Sequence, residues 1–120
     1  MTEHAEPTVF ERIAAREIPA QIVAETDRVI AFHDIAPKAP VHVVVTTKEQ
    51  GGYRDVVELA AGDPALLAEL VAVARDVADE LSDGDFRLVF NTGGNAGQTV
   101  FHVHAHVLAG GLEEATLAGE

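Results

Sequence analysis

The 120-residue chain contains no cysteine and no tryptophan. The first absence excludes disulfide staples and thiolate metal sites. Stability therefore rests on a hydrophobic core, for which a 48% hydrophobic composition suffices in one compact domain. Positive charge is scarce: 8 Lys and Arg stand against 20 Asp and Glu, a formal net charge of −12. Such a surface repels polyanions and forgoes the counterion release that underlies general nucleic-acid affinity, so no nucleic-acid partner is expected. A small phosphate ligand is not excluded, because its pocket depends on local donors. No run approaches the roughly 18 apolar residues of a membrane span. The opening Met-Thr-Glu-His-Ala-Glu-Pro lacks the basic and apolar regions of a signal peptide. The expectation is a cytoplasmic protein with no membrane association. Residues 1–7, with His4, read as a loose terminus without a role, and 112–120, with Glu113, Glu114 and Glu120, as an acidic tail.

Val9, Phe10 and Ile13 share one side of a short amphipathic helix over 8–17, ended by Ile18-Pro19. Ile22–Glu25 and Arg28–Phe32 are β-type runs around a Thr26-Asp27 hairpin, and Val41–Thr46 forms a third strand after Pro37 and Pro40. Asp63-Pro64 combines an N-cap carboxylate with proline at the first helical position. It follows a short helical turn near 55–60 and starts a main helix over about 64–82, stopped by Ser82-Asp83-Gly84. Phe86–Asn91 and Thr99–Leu108 complete five strands. Without regular strand–helix alternation, this order favours an α+β fold with a mostly antiparallel sheet over a doubly wound one.

The last strand carries His102-Val-His104-Ala-His106-Val-Leu108. Alternation along a strand places the three imidazoles on one face, neighbours roughly 6.5–7 Å apart, and the apolar residues on the other. Solvated surface histidines are one reading of this row, and a metal shell is a second, since imidazole is the commonest zinc ligand. No cysteine and no His-Glu-x-x-His helix strengthens the metal case. A third reading is nucleophilic catalysis at phosphorus by a neutral imidazole. That chemistry needs an anion cradle. The upstream loop supplies one: Gly93, Gly94 and Gly97 permit close backbone approach, while Asn91, Gln98 and Thr99 are neutral donors for phosphate oxygens.

The spacing His-φ-His-φ-His-φ-φ, with φ apolar, resembles the signature of the histidine triad (HIT) family. Phe10-Glu-Arg-Ile13, Arg16-Glu-Ile18-Pro19-Ala20, Asp27-Arg28, Ala31-Phe32-His33-Asp34-Ile35-Ala-Pro37-Lys-Ala39-Pro40, Val41-His42 and Gly97-Gln98-Thr99-Val100-Phe101-His102 resemble its nucleotide-binding, Hint-type branch. The likeness spans positions 8 to 111. It implies a single HIT domain over 1–120, with a five-stranded antiparallel sheet, a short N-terminal helix and one long helix. It also implies a homodimer, a purine nucleotide (AMP-like) ligand and no required cofactor or metal. The activity it implies is hydrolysis of the P–N bond of adenosine and other purine nucleoside 5′-monophosphoramidates through a nucleotidyl-histidine. In that reading His104 is the nucleophile, His106 sits near phosphate and leaving group, and His102 and His42 extend a hydrogen-bond relay behind the nucleophile. Phe10, Ile13, Ile18, Phe32 and Ile35 would line the base pocket. Asp34 would hold the ribose hydroxyls, a usual task for a carboxylate in nucleotide sites. His33, its neighbour, reads as structural and facing the other way. Lys48 reads as solvated rather than as a phosphate ligand.

The chain departs from the branch at two places. Gln50 stands where a histidine is common, and Leu-Glu-Glu-Ala-Thr-Leu-Ala-Gly-Glu follows Gly111 without the branch's tryptophan. Leaving-group preference is thereby left open. A dinucleoside polyphosphate hydrolase, a non-catalytic nucleotide-binding scaffold and a zinc protein are the competing functions.

Overall fold

The computed structural model describes residues 6–114; residues 1–5, with His4, and 115–120, with Glu120, lie outside the described residues. The elements are α1 (Val9–Ala14), β1 (Ile22–Glu25), β2 (Val29–His33), β3 (Val41–Thr47), α2 (Val56–Gly62), α3 (Pro64–Ser82), β4 (Arg87–Val89) and β5 (His104–Ala109), with a 3-10 turn at Gly94–Ala96. The strands form one antiparallel sheet in the order β1-β2-β3-β5-β4. No described helix is long and apolar enough to cross a membrane.

Helix starts follow local chemistry. The Asp63 carboxylate accepts from Leu66 N at 3.1 Å with Pro64 next in line, and Asp83 closes α3 in the left-handed region at φ 55°. Thr8 begins α1 with a capping box: its hydroxyl accepts from Glu11 N at 3.1 Å, and Glu11 Oε1 accepts from Thr8 N at 2.9 Å.

The larger differences from the sequence expectation fall at four places. α1 ends at Ala14 rather than at Ile18-Pro19. Arg16 turns left-handed at φ 65°, with Arg16 N donating to Ile13 O and Glu17 N to Arg12 O, so a Schellman closure stops the helix a turn early. In the first hairpin the central pair is Asp27-Arg28, because the Thr26 hydroxyl accepts from Arg28 N and Val29 N and closes the turn itself. β4 is only three residues long. β5 starts at His104 instead of Thr99, because the preceding backbone finds partners outside the ladder. There the Phe101 carbonyl takes Gln50 Nε2, the Val103 carbonyl takes the Thr46 hydroxyl, and Val103 N donates to Tyr53 O.

The sheet separates two apolar layers. On one face Leu66, Leu70, Val73, Ala74 and Val77 of α3, with Leu59 of α2, pack against Val29, Ala31, Val43, Val45, Val103, Ala105 and Val107. On the other a smaller cluster of Phe10, Ile13, Phe32 and Val44 forms under α1. Alternation therefore delivers His42, His104 and His106 to the α1 side, opposite the main core.

Candidate active site

β3 and β5 pair with Val44 opposite His106 and His42 opposite Leu108, so His42 and His106 are diagonal neighbours on one face. Their rings touch through a 2.9 Å bond between His42 Nε2 and His106 Nδ1. The His106 ring lies 5.3 Å from that of His104, centroid to centroid, and His104 packs edge-on against Phe10 at 4.8 Å. These imidazoles form part of the wall of a cavity of about 740 Å³ between α1, the sheet and the glycine loop.

Hydrogen-bond partners fix the tautomers. His104 Nδ1 lies 2.8 Å from the His102 carbonyl, which only accepts, so the proton sits on Nδ1 and Nε2 keeps its lone pair. His42 Nδ1 accepts from Lys38 N at 2.9 Å; its Nε2 therefore carries the proton, donates to His106 Nδ1, and leaves the His106 proton on Nε2. Two adjacent rings thus hold opposite polarity, one a free lone pair and the other a free N–H. Burial keeps all three neutral near pH 7. It lowers His104 despite the opposing pull of the His102 carbonyl, lowers His42 with help from the Lys38 charge, and holds His106 down to about 4 with help from its two histidine neighbours.

The expectation that all three imidazoles of the row share one pocket is corrected at His102. That residue is fully buried, precedes β5 and does not border the cavity. Its Nε2 donates to the Thr47 carbonyl at 2.7 Å, and its Nδ1 receives the Thr8 hydroxyl at 2.6 Å. It reaches His104 through its backbone carbonyl. His42 stands behind His106 rather than behind His104.

Phe10, Ile13, Ile18 and Phe32 border the cavity, and the first, second and fourth are also core residues. Ile35 borders it from the rim, 97% exposed. Asp34 does so with Oδ1 accepting from Ala36 N at 2.8 Å and Oδ2 at 3.4 Å from His42 Nε2. His33 also contributes to the cavity lining. Asn91, Gly97 and Thr99 line the loop side. Gln98 does not. Its Oε1 accepts from Gly93 N, and its Nε2 donates to the Arg54 and Val100 carbonyls at 2.6 and 3.1 Å, so it is a loop brace with no donor left for phosphate. Lys48 lies away from the cavity, paired with Glu25 at 2.6 Å.

Thr8 and Thr47 escaped the sequence reading. Thr8 was legible as a helix cap, but its bond to a histidine 94 positions later carries no local signal. Asp34, His42 and His106 place ligating atoms within 4.8 Å of one another, a set with the chemistry to hold a cation. A cation there would take the proton's place between His42 and His106.

Comparison with known proteins gives a consistent picture. The profile of the HIT domain matches residues 15–111. An uncharacterised HIT-like protein of Synechocystis is 48% identical over 110 residues, covering 88% of this chain and 92% of that protein. The adenylylsulfatase HINT1 of Arabidopsis thaliana is 37% identical over 106 residues, covering 87% and 71%. The solved structure of a HIT family hydrolase from Clostridium thermocellum superposes with a TM-score of 0.81 at 41% identity, covering 89% of this chain and 93% of its own. With its imidazole pair, its five-stranded sheet and a profile match over most of its length, this chain belongs to the HIT family.

Proposed function

We propose that the protein is a nucleotide hydrolase that cleaves the P–N bond of purine nucleoside 5′-monophosphoramidates, adenosine derivatives among them. The observation that carries this reading is the opposite polarity of His104 and His106. A neutral His104 with its lone pair on Nε2 is a competent nucleophile, and the neighbouring His106 Nε2–H is a donor for a phosphoryl oxygen. In the first step a bond forms between His104 Nε2 and phosphorus as the P–N bond of the substrate breaks, and the departing amine nitrogen takes up a proton from solvent. In the second, water attacks phosphorus, the bond to His104 Nε2 breaks, the proton lost by the water returns to solvent, and the nucleoside monophosphate departs with His104 neutral again. Asp34 takes the ribose hydroxyls, while Phe10, Ile13, Ile18 and Phe32 enclose the base. The Gly97 and Thr99 backbone, with Gly97 at φ 95°, approaches the phosphate. No cofactor enters this scheme.

We infer further that the protein works as a homodimer, since β4 is a short edge strand open to pairing. Equilibrium sedimentation should return about twice the 12.7 kDa of the chain.

The decisive experiment compares wild type with His104→Ala on an adenosine phosphoramidate, a diadenosine polyphosphate and adenylyl sulfate. The variant should lose turnover while still binding AMP, and acid-quenched wild type should carry a nucleotidyl group on His104. Full activity in the variant would sink the assignment, and preferred turnover of either other substrate would reassign the reaction.

A further inference from the structure

Lys38 is unusual in its charge environment. In a chain of net charge −12, six of the 8 Lys and Arg side chains sit on carboxylates, and Arg87 donates to the Glu113 carbonyl at 2.6 Å. The Lys38 ammonium alone has no ion-pair or hydrogen-bond partner among the described residues, although carboxylates outnumber cations 20 to 8. It is exposed and borders the nucleotide cavity. Among the described residues that line the cavity, it is the only lysine or arginine.

Its backbone stands at the end of the histidine row away from His104. The backbone N–H of Lys38 is tied to His42 Nδ1, and His42 is the far member of the row His104, His106, His42, whose successive rings are 5.3 and 5.1 Å apart. A 5′-phosphorus seated at His104 Nε2 therefore leaves Lys38 to another group. Resting on the nucleotide reading above, we propose that the cavity takes nucleotides carrying a second anionic group besides the 5′-phosphorus, and that Lys38 receives it.

Such a group has two sources, a further phosphate beyond the 5′-phosphorus or a phosphate on the ribose beside Asp34. ADP and adenosine 3′,5′-bisphosphate represent them. Titration calorimetry of AMP and these two ligands is performed at low and moderate salt on wild type, Lys38→Gln and Lys38→Glu. These changes keep the backbone bond to His42. At least one doubly phosphorylated ligand should bind wild type about three- to fivefold tighter than AMP at low salt, as expected for one partly exposed charge pair. That ratio should fall to about one in Lys38→Gln, invert in Lys38→Glu, and shrink as salt rises. The ligand that shows the advantage identifies the source. Equal affinity of all three ligands for wild type, or an advantage that survives Lys38→Gln, overturns the proposal. Failure of AMP itself to bind wild type overturns the nucleotide reading instead.

Discussion

A single hydroxyl joins the two walls of the cavity. Thr8 Oγ1 accepts from Glu11 N as the cap of α1 and donates to His102 Nδ1, while the His102 carbonyl holds the His104 proton. Helix α1 carries Phe10 and Ile13 of the cavity lining, so that wall and His104 share one hydrogen-bonded path. Thr8→Val keeps the shape but removes both the cap acceptor and the donor to a buried imidazole. Losing a cap costs about 1 kcal/mol, and an unsatisfied buried nitrogen about 1–3 kcal/mol. Thr8→Val should therefore lose roughly 2–4 kcal/mol in urea unfolding, whereas Thr8→Ser, which preserves both bonds, should stay within about 1 kcal/mol of wild type. Equal stability of the Val variant would show that the path carries no energy. The histidine spacing is legible in sequence because strand alternation is local. The partners that withdraw His102 from the cavity are not, because Thr8 and Thr47 lie 94 and 55 positions away from it.

Among the elements, the glycine loop shows where sequence chemistry and structure diverge. Gln98 reads as a donor in a phosphate loop, but its amide spans the loop itself, joining Gly93 N to the Arg54 and Val100 carbonyls. Composition identifies an amide; only the 44-residue separation from Arg54, closed by the fold, decides its partner. The same distinction explains β5. Thr99 to Val103 has the residue types of a strand, yet its backbone partners are side chains and loops rather than a ladder, whereas α3 was legible at both ends because Asp63, Pro64 and Asp83 act on their own neighbours. Gln98→Leu fits the same space and leaves Gly93 N and the two carbonyls without the amide. The loop should become more open, and kcat/KM for the phosphoramidate should fall roughly tenfold through misplacement of Gly97 and Thr99. Hydrogen exchange over 92–98 should accelerate in parallel. Unchanged exchange together with unchanged kcat/KM would remove Gln98 from the site's supports.

For the whole molecule, the histidine row and the acidic surface make opposite demands on pH. The sequence pI of about 4.7 marks where net charge vanishes and self-repulsion is least. The buried imidazoles favour a higher pH. His42, His104 and His106 all have folded pKa values below their ordinary 6.5, His106 at about 4, so between those values the unfolded chain binds more protons than the native one. Stability is then fully present above about 6.5 and falls as pH drops toward 4. The paired carboxylates Glu25, Glu58 and Asp63 are also lowered, from 4.5, 4.5 and 3.8; their contributions are present above those values and are lost as acidification continues. Both sets of groups act in the same direction on acidification. Both contributions to stability are lost on acidification and the surface charges are dispersed and screened, so maximum stability is predicted above pH 6.5 rather than at the pI. Urea unfolding at pH 4.7, 6 and 7.5 should give the lowest midpoint at 4.7. His106→Asn, which replaces the most strongly shifted imidazole by a group that does not titrate, should flatten the limb between pH 6.5 and 4 while leaving the more acidic carboxylate limb in place. A stability maximum at pH 4.7 in wild type would mean that surface repulsion, and not the buried histidine row, governs the acid response.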